Sequence, residues 1–290
     1  MREMRLLVLG ATGLLGYQLC RRIKQRGFDL VTAARSGADV NFDITDPKSL
    51  RDNLNIVSAD LVINAAANVN LTSCEKNPAA AYAINAAPVQ LIANWCVEQN
   101  KKFVQISTDH FFDGNGRKSH DELAEVTIVN QYARAKFAAE EYAAICPDAL
   151  IVRTSIAGIH PDGRGLANWA FDQISTRKPM KLFDDSYGSI IDTASFSNAL
   201  LDLIEAKANG AINLASSQVS SKQELIIELA NAIGIKLDWG VSCSVADLQP
   251  KRARSTGLNV QKAESILGYE LPDLAAVCKE LAAQWQRQNG

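Results

Sequence analysis

The stretch VLGATGLLG, residues 8–16, lies between a short apolar run and an amphipathic segment. Its glycines, Gly10, Gly13 and Gly16, follow the spacing G-x-x-G-x-x-G. Between a strand and a helix, the first glycine permits a tight turn and the second lets backbone N–H groups approach a pyrophosphate. The third lets the helix pack closely on the strand. After the first strand of an alternating series, this stretch predicts a dinucleotide-binding turn rather than a purely structural one.

Segments with strand character alternate with helical segments from this turn to about residue 155. The apolar runs are MRLLVLG, FDLVTAAR, ADLVINAAA, KFVQIST and ALIVRTS. Near-continuous apolar runs are typical of parallel strands that helices cover on both faces. Gly27 is expected to end the first helix, Asp46 and Pro47 to begin the second, and Pro88 to bend a long helix over residues 77–100.

The pattern therefore predicts an α/β protein with a doubly wound parallel sheet (Rossmann) and a smaller, partly interleaved C-terminal substrate domain. Residues 1–155 are expected to form the dinucleotide-binding domain. Residues 156–290 are expected to form mainly the substrate-binding domain, with segments around 185–215 returning to the Rossmann sheet.

Composition excludes several other classes of protein. The 290 residues are 47% hydrophobic and 21% charged, with a formal net charge of -2, which gives no electrostatic case for a nucleic-acid partner. No apolar run is long enough for a membrane span or a signal peptide. The six scattered cysteines form no Cys-x-x-Cys pair, and the three histidines do not cluster with them. We therefore expect reduced thiols, a cytoplasmic location and no metal site.

The end of the second apolar run bears on the choice of cofactor. An acidic residue there would bind the adenosine ribose, but the sequence has Arg35, and no acid follows until Asp39. A guanidinium suits a 2′-phosphate, so NADP is favoured over NAD, although Arg35 could instead stack on adenine or point to solvent. Asp43, next to Ile44, is a candidate acceptor for the adenine amino group, and its alternative role is that of a turn residue before Pro47.

The stretch NQYARAKFAAEEY, residues 130–142, places Tyr132 and Lys136 on one face of a predicted helix. A cation one turn from a phenol lowers the pKa of the phenol, so that it can exchange protons near neutral pH. Thr108 ends the fourth apolar run, at the sheet edge where ligands bind, and its hydroxyl can hold a substrate carbonyl. These three residues predict a catalytic group beside a nicotinamide rather than ordinary helix-surface residues.

The sequence resembles the extended short-chain dehydrogenases/reductases, and within them the dTDP-4-dehydrorhamnose reductase group of sugar-nucleotide enzymes. The matching segments are GATGLLG, NAAANVN, CEKNPAAAYAIN, STDHFFDG, YARAK, VRTS, DDSYGS and STGLN. The glycine and Tyr–Lys motifs are typical of the superfamily, whereas STDHFFDG followed by VRTS indicates the reductase group.

The resemblance implies reduction of a nucleotide-linked 4-keto-6-deoxy sugar by NADPH, with NADH as the other candidate, in dTDP-rhamnose or polysaccharide biosynthesis. It implies that Thr108, Tyr132 and Lys136 are catalytic, with Tyr132 as proton donor and Lys136 also binding the nicotinamide ribose. A homodimer is compatible with it. The implied cofactor-binding residues, together with those named above, are Thr12, Leu14, Leu15, Ala65, Ala66 and Ala67.

Departures from the group's pattern fall on the substrate side. Ile156 stands where a tryptophan is usual, and GSII, residues 188–191, replaces GSPT. His110 occupies a tyrosine position and could contact substrate or be structural. Arg252, in the basic loop with Lys251 and Arg254, could neutralise a diphosphate or belong to a solvated charge run. Two alternatives therefore stay open: a related epimerase, and a non-catalytic NADP-binding regulatory subunit. A dehydratase is disfavoured because His110 follows Thr-Asp where a glutamate is usual.

Overall fold

A computed structural model describes residues 4–289 of the chain. The strands, in chain order, are β1 Arg5–Leu9, β2 Asp29–Ala34, β3 Val40–Asn41, β4 Leu61–Asn64, β5 Lys102–Ile106, β6 Ser119–His120, β7 Leu150–Arg153, β8 Ser155–Ala157, β9 Met180–Phe183, β10 Tyr187–Gly188, β11 Ile190–Asp192, β12 Gly210–Asn213, β13 Ser220–Ser221, β14 Gly240–Cys243 and β15 Gly257–Leu258. The helices are α1 Leu14–Gln25, α2 Pro47–Val57, α3 Leu71–Lys76, α4 Pro78–Asn85, α5 Ala87–Glu98, α6 Gln131–Ala143, α7 Leu166–Ser175, α8 Thr193–Glu205, α9 Lys222–Ala232, α10 Gln261–Leu267 and α11 Leu274–Asn289.

The chain divides into two compact units. Of the described residues, unit 1 comprises 4–108, 128–153 and 204–212, and unit 2 comprises 109–127, 154–203 and 213–289. The segment 109–127, which the sequence prediction assigned to the dinucleotide-binding domain, lies in unit 2. Residues 204–212, in the range expected to return to the main sheet, lie in unit 1. The chain therefore passes between the units five times, and the first two passages, before and after residues 109–127, are additional to the boundary near residue 155 and the return expected around 185–215.

Unit 1 is built on a seven-stranded sheet with the order β12-β7-β5-β4-β1-β2-β3. The register is parallel from β3 to β7, with Leu7 of β1 beside Val31 of β2 on one side and Val62 of β4 on the other. Parallel strands end together at one edge of the sheet, so the segments after β1, β2, β4 and β5 share that edge. The α/β class with a doubly wound parallel sheet is confirmed.

Apolar side chains between the sheet and its helices form the core of unit 1. Leu50 and Leu54 of α2, Trp95 of α5 and Phe103 of β5 belong to one cluster and are almost fully buried. Asp46 caps α2, since its carboxylate accepts hydrogen bonds from the N–H groups of Lys48 and Ser49, as the Asp-Pro pair predicts. Burial of these helix faces fixes α2 and α5 against the sheet.

The region around Pro88 differs from the sequence prediction. A single helix bent at Pro88 was expected, but the structure has two helices, α4 ending at Asn85 and α5 beginning at Ala87. Ala86 lies between them with φ of -122° and ψ of -56°. The bend prediction was wrong because a proline at the second residue of a helix suits a new helical start better than the interior of a long helix.

Unit 2 contains short strand pairs and helices α7, α9, α10 and α11. β8 pairs with β11 and β9 with β14, both in parallel, whereas β10 pairs with β13 in antiparallel register. Ser221 opens α9 with a capping box, in which its hydroxyl accepts from Glu224 N–H and the Glu224 carboxylate accepts from Ser221 N–H. This cap places Lys222 at the first position of α9.

The six cysteines are free thiols, and all except Cys243 are buried. Burial raises the pKa of the thiols of Cys20, Cys96 and Cys278 to about 12. Among residues 4–289, none of the helices has the combination of length and apolar character that crossing a bilayer requires.

Candidate active site

The glycine turn after β1 leaves no room for side chains. Gly10 has a φ of +81°, and a Cβ added to it would lie 2.7 Å from the backbone of Ala66. A Cβ on Gly16 would lie 2.1 Å from the Gly10 carbonyl oxygen. The predicted turn therefore brings the segments after β1 and β4 into backbone contact, which only glycine allows at these two positions.

The start of α1 offers unpaired backbone donors. Gly13 is the N-cap, and Leu14, Leu15 and Gly16 are the first helical residues, whose N–H groups have no partner within the helix. Their partial positive charge suits an anion. The Leu15 side chain is buried, so only its backbone can face a ligand, whereas Thr12 is exposed. This geometry fits the pyrophosphate of a dinucleotide.

The loop after β2 carries a solvent-exposed cation. Arg35 is exposed, immediately after the last residue of β2. The Asp39 side chain is directed towards β2, where its carboxylate accepts hydrogen bonds from the Thr32 N–H at 2.9 Å and the Thr32 hydroxyl at 2.7 Å. These bonds lower the pKa of Asp39. Arg35 is therefore exposed at the position where the sequence predicts the adenosine ribose, and Asp39 is held by Thr32 instead.

Asp43 is exposed and forms the predicted turn. Its Oδ1 accepts from both the N–H and the hydroxyl of Thr45, each at 2.8 Å, and these bonds lower the pKa of Asp43, as does the charge of Arg35 to a smaller extent. Ile44 packs against the core of unit 1. Ala65 and Ala66 are half-buried beside Gly10, and Ala67 is exposed. The roles of these residues toward adenosine stay predictions.

Lys136 is buried within unit 1, with 2% of its surface exposed. Its ammonium donates a hydrogen bond to the Ile106 carbonyl oxygen at 2.6 Å, at the end of β5. Burial lowers the pKa of Lys136 to about 8, and the nearby Glu140 carboxylate offsets part of this effect. Lys136 therefore titrates close to neutral pH, as an acid–base or charge-stabilising group requires.

Tyr132 lies one turn before Lys136 on α6 and is also buried, packed in a small cluster with Leu71, Cys74 and Ala81. Asn130 caps the helix by accepting the Ala133 N–H at 2.9 Å. Thr108, two residues beyond the end of β5, is buried in the same unit. The three predicted catalytic side chains are thus all buried in unit 1, two on α6 and one just after β5, while their catalytic roles stay predictions.

A chain of buried amides leads to the same carbonyl oxygen. The Gln105 side-chain amide donates to Ile106 O at 2.7 Å, and its oxygen accepts from the Asn64 amide at 2.9 Å. Asn64 in turn accepts from the Ala66 N–H at 3.2 Å. Asn64 and Gln105 are at most 2% exposed. The segment after β4 and the Lys136 ammonium are therefore joined through one hydrogen-bonded chain.

Unit 2 contains a cavity of 360 Å³ with a cluster of ionisable side chains. Lys222 from the first turn of α9, Arg252 from the basic loop and His110 from the loop after β5 all line it. Lys181 of β9 adds another cation, and Asp109 is the lining residue with a carboxylate. This excess of positive charge suits an anionic ligand.

The cations influence His110 directly. Burial lowers the pKa of His110, the Asp109 carboxylate offsets part of this, and the charges of Lys222 and Arg252 lower it further. Burial is also the main cause of the lowered pKa values of Lys222 and Arg252. The His110 imidazole is therefore neutral at pH 7 and can both donate and accept hydrogen bonds.

Asp109 is fixed at the edge of this cavity. Its Oδ2 accepts from the Thr256 hydroxyl at 2.6 Å, and only 2% of Asp109 is exposed. A Cβ at Gly188 would come within 3.2 Å of that hydroxyl oxygen and 3.8 Å of Asp109 Oδ2. Gly188, the first residue of GSII, thus leaves space for the Asp109–Thr256 hydrogen bond.

Aromatic side chains complete the lining of the cavity. Trp169 of α7, Phe183 of β9 and Tyr187 of β10 all contribute to it, and Trp169 is 45% exposed. Exposed aromatic rings beside cations are suited to stacking on a planar base next to a phosphate. The cavity therefore combines the two kinds of contact that a nucleotide needs.

The substrate residues predicted from the sequence separate in the structure. His110 and Arg252 line the cavity, whereas the half-buried Ile156 is not among its lining residues and pairs with Ile191 instead. Lys251 and Arg254 are exposed and also lie outside the lining. Of the basic loop, only Arg252 therefore fits the predicted anion-binding role.

Several lining residues were not predicted as site residues, above all Asp109, Trp169 and Lys222. Asp109 follows Thr108 directly, so its position beside a residue predicted to be catalytic was a usable signal. Lys222 and Trp169 sit in ordinary amphipathic helices, where a lysine or a tryptophan carries no local signal of function. Among residues 4–289, no group of three or more histidine, cysteine or acidic side chains is arranged to hold a metal ion.

The parallel sheet, the glycine turn and the buried Tyr132–Lys136 pair define a dinucleotide-binding α/β protein of the Rossmann type. More narrowly, the chain belongs to the family described as RmlD substrate binding domain, whose profile matches residues 4–287. This confirms the resemblance inferred from the motifs.

Named relatives are similar along most of the chain. The chain is 29% identical over 287 residues to the probable low-salt glycan biosynthesis reductase Agl14 of Haloferax volcanii, covering 93% of this chain and 96% of that protein. It is 30% identical over 222 residues to a dTDP-4-dehydrorhamnose reductase of Mycobacterium tuberculosis, covering 75% and 71%. The fold matches the dTDP-4-dehydrorhamnose reductase of Bacillus anthracis solved in complex with NADP, with a TM-score of 0.88 at 21% identity over 98% of this chain and 100% of that one.

Proposed function

We propose that this protein is an NADPH-dependent reductase of a nucleotide-linked 4-keto-6-deoxy sugar. The observation that carries the proposal is that Tyr132 and Lys136 of α6 are both buried and that the Lys136 ammonium bonds the Ile106 carbonyl at the end of β5. Relatives named as dTDP-4-dehydrorhamnose reductases support the substrate class. The relative named as a glycan biosynthesis reductase supports the same reaction type.

The residues of unit 1 fit the cofactor. The first turn of α1 would bind the pyrophosphate, the narrow Gly10 turn would admit it, and Arg35 would contact a 2′-phosphate. NADPH, when bound, supplies the hydride for the ketone carbon. A positively charged Lys136 would contact the nicotinamide ribose and lower the pKa of the Tyr132 phenol. Tyr132 would donate its proton to the substrate oxygen, and Thr108 would orient that oxygen by a hydrogen bond.

The cavity in unit 2 fits the nucleotide part of such a substrate. Lys222 and Arg252 would bind the diphosphate, with His110 as a neutral hydrogen-bonding partner, and Trp169 would stack on the base. The altered sequence at Ile156 and GSII leaves the particular sugar open. We also infer a cytoplasmic location, which the free cysteines favour, and a homodimer stays a prediction.

The test is oxidation of NADPH and NADH in the presence of a panel of nucleotide-linked 4-keto sugars, followed by loss of absorbance of the reduced nicotinamide. We expect turnover with NADPH and at least one keto sugar. Tyr132→Phe should abolish turnover and leave NADPH affinity unchanged, whereas Tyr142→Phe, on the same helix, should retain activity. Tight NADPH binding without turnover on any sugar would favour the regulatory-subunit alternative, and inversion at a sugar carbon without net oxidation of NADPH would favour an epimerase.

A further inference from the structure

A buried ion pair lies one helical turn from Lys136. Glu140, one helical turn later on α6, accepts three hydrogen bonds from the Arg153 guanidinium at the end of β7, with lengths of 3.1, 3.2 and 2.8 Å. Both side chains belong to unit 1, and their side chains are 5% and 8% exposed. The ion pair is thus bidentate and shielded from water, and Arg153 belongs to the same sheet as Ile106.

A buried carboxylate can influence the protonation of a lysine several ångströms away. Residues four apart on a helix are neighbours on one face, so the Glu140 carboxylate lies on the side of α6 that carries Lys136. Low local polarity strengthens the attraction between an ammonium and a carboxylate compared with water. Arg153 takes up the hydrogen bonds of the carboxylate and brings a positive charge of its own, but the carboxylate is the member of the pair that stands one turn from the ammonium on α6.

We propose that Glu140, held by Arg153, is a positioning residue that keeps the Lys136 ammonium charged during the reaction. The hydrogen bond to the Ile106 carbonyl fixes the position of the ammonium, and the negative charge of Glu140 stabilises the positive charge of the buried ammonium. The inference about catalysis rests on the proposed reductase function, because Lys136 must be charged to activate Tyr132. The inference about the protonation of Lys136 concerns the chain alone.

The other charged groups on elements packed against α6 have partners other than Lys136 or are exposed. Glu75 of α3 accepts the Gln131 N–H at the start of the helix, and Glu98 of α5 is paired with Arg51. α4 contributes the Tyr82 hydroxyl, which meets Tyr142 near the other end of α6. Lys76 of α3 and Lys102 of β5 are exposed. Glu140 is accordingly the carboxylate that raises the pKa of Lys136 against the effect of burial.

The direct test is a pH titration of Lys136 by NMR in protein labelled with ¹³C at lysine Cε, with the signal assigned by its absence in Lys136→Met. In Glu140→Gln we expect the titration midpoint to fall by about one pH unit, because the favourable charge is removed. Glu141→Gln, an exposed neighbour on the same helix, should leave the midpoint unchanged.

Glu140→Gln leaves a buried arginine without its carboxylate and could unfold the protein. The double variant Glu140→Leu/Arg153→Met replaces the pair by apolar groups of similar size, which proteins tolerate better. Its midpoint should also fall, but by less than in Glu140→Gln, because the Arg153 cation that repels the ammonium is removed together with the carboxylate. A wild-type midpoint in this double variant would overturn the proposal.

The kinetic test follows kcat/KM for NADPH-dependent reduction against pH. The alkaline limb should move to lower pH in the double variant by the same amount as its NMR midpoint, while Glu141→Gln keeps the wild-type profile. A shifted NMR midpoint with an unshifted limb would overturn the role in the reaction. If no keto sugar is reduced at all, the proposed function fails, and the NMR titration still decides whether Glu140 controls the charge of Lys136.

Discussion

Ile156 of β8 and Ile191 of β11 are register partners in a parallel strand pair. Both positions depart from the pattern of the reductase group, which has a tryptophan at the first and a threonine at the second. Ile191 is fully buried and Ile156 half-buried. The two departures are therefore one local change, in which a polar and an aromatic side chain are replaced by a β-branched pair that packs well between strands.

This relationship predicts energetic coupling between the two isoleucines. Ile191→Thr should destabilise the protein by about 2 kcal/mol, because it removes buried apolar surface and buries a hydroxyl. Combined with Ile156→Thr, the change in unfolding free energy should deviate from additivity by about 0.5–1 kcal/mol, as measured by denaturant unfolding. Pairing Ile191→Thr with Ile266→Thr, on the exposed side of α10, should be additive. Additivity in both combinations would contradict the coupling.

Gly16 and Gly27 allow a matched test of the glycine turn. Gly16→Ala places a Cβ 2.1 Å from the Gly10 carbonyl oxygen, so the turn must shift, and we expect loss of NADPH binding in fluorescence titrations. Gly27 has a φ of +79° with no heavy atom within 4 Å of an added Cβ. Gly27→Ala should therefore cost about 1 kcal/mol of stability through backbone strain alone and leave NADPH affinity intact. Equal NADPH affinity in the two variants would count against the predicted turn.

Arg35 is expected to select the cofactor. Arg35→Glu should weaken NADPH binding by about tenfold or more and leave NADH binding little changed, because only NADPH carries the 2′-phosphate. Lys24→Glu, an exposed position on α1 with the same change in charge, controls for the general field. Calorimetric titration with NADPH and with NADH measures the ratio of the two affinities. A ratio that Lys24→Glu changes as much as Arg35→Glu would point to long-range charge rather than direct contact.

Lys136 should cost the protein stability. Its pKa falls from 10.5 in water to about 8 in the folded chain, so between these values the unfolded state binds the additional proton. Stability should therefore rise with pH from about 8 to 10.5 through this group. Lys136→Met should abolish turnover and raise the unfolding free energy at pH 7 by about 2–3 kcal/mol, with the gain shrinking above pH 8. Chemical denaturation across this pH range measures the effect, and a less stable variant at pH 7 would refute it.

His110 should make ligand binding depend on pH. The pKa of the free imidazole is lowered by burial and by the cations of Lys222 and Arg252, and a bound diphosphate would neutralise those cations and raise it. Affinity for dTDP-glucose should then be highest below the lowered pKa of the free imidazole and decrease as pH rises through the higher, ligand-bound pKa. His110→Asn should remove this dependence, and Lys222→Met should weaken binding throughout the range.

The parts of the site that sequence could predict are those built from neighbouring residues. The spacing of Gly10, Gly13 and Gly16 and of Tyr132 and Lys136 is local, so a turn or a helix face follows directly from it. The Glu140–Arg153 pair joins a helix to a strand, and Lys222 reaches the cavity from a helix far along the chain. Such contacts depend on how elements pack, and no local spacing encodes them. Pro88 shows the same limit, since a proline marks a break without specifying a bend or a new helix.

The order of the chain through the two units has a consequence for synthesis. Strand β12 completes the sheet of unit 1 beside β7, yet it is encoded after residues 154–203, which belong to unit 2. As the nascent chain leaves the ribosome, β7 stays an open edge strand until residue 212 has emerged. Open edges pair readily with other chains, so the growing chain is most exposed to such pairing during this interval. A ribosome stalled before residue 204 would therefore display a nucleotide-binding unit with its outermost strand still missing.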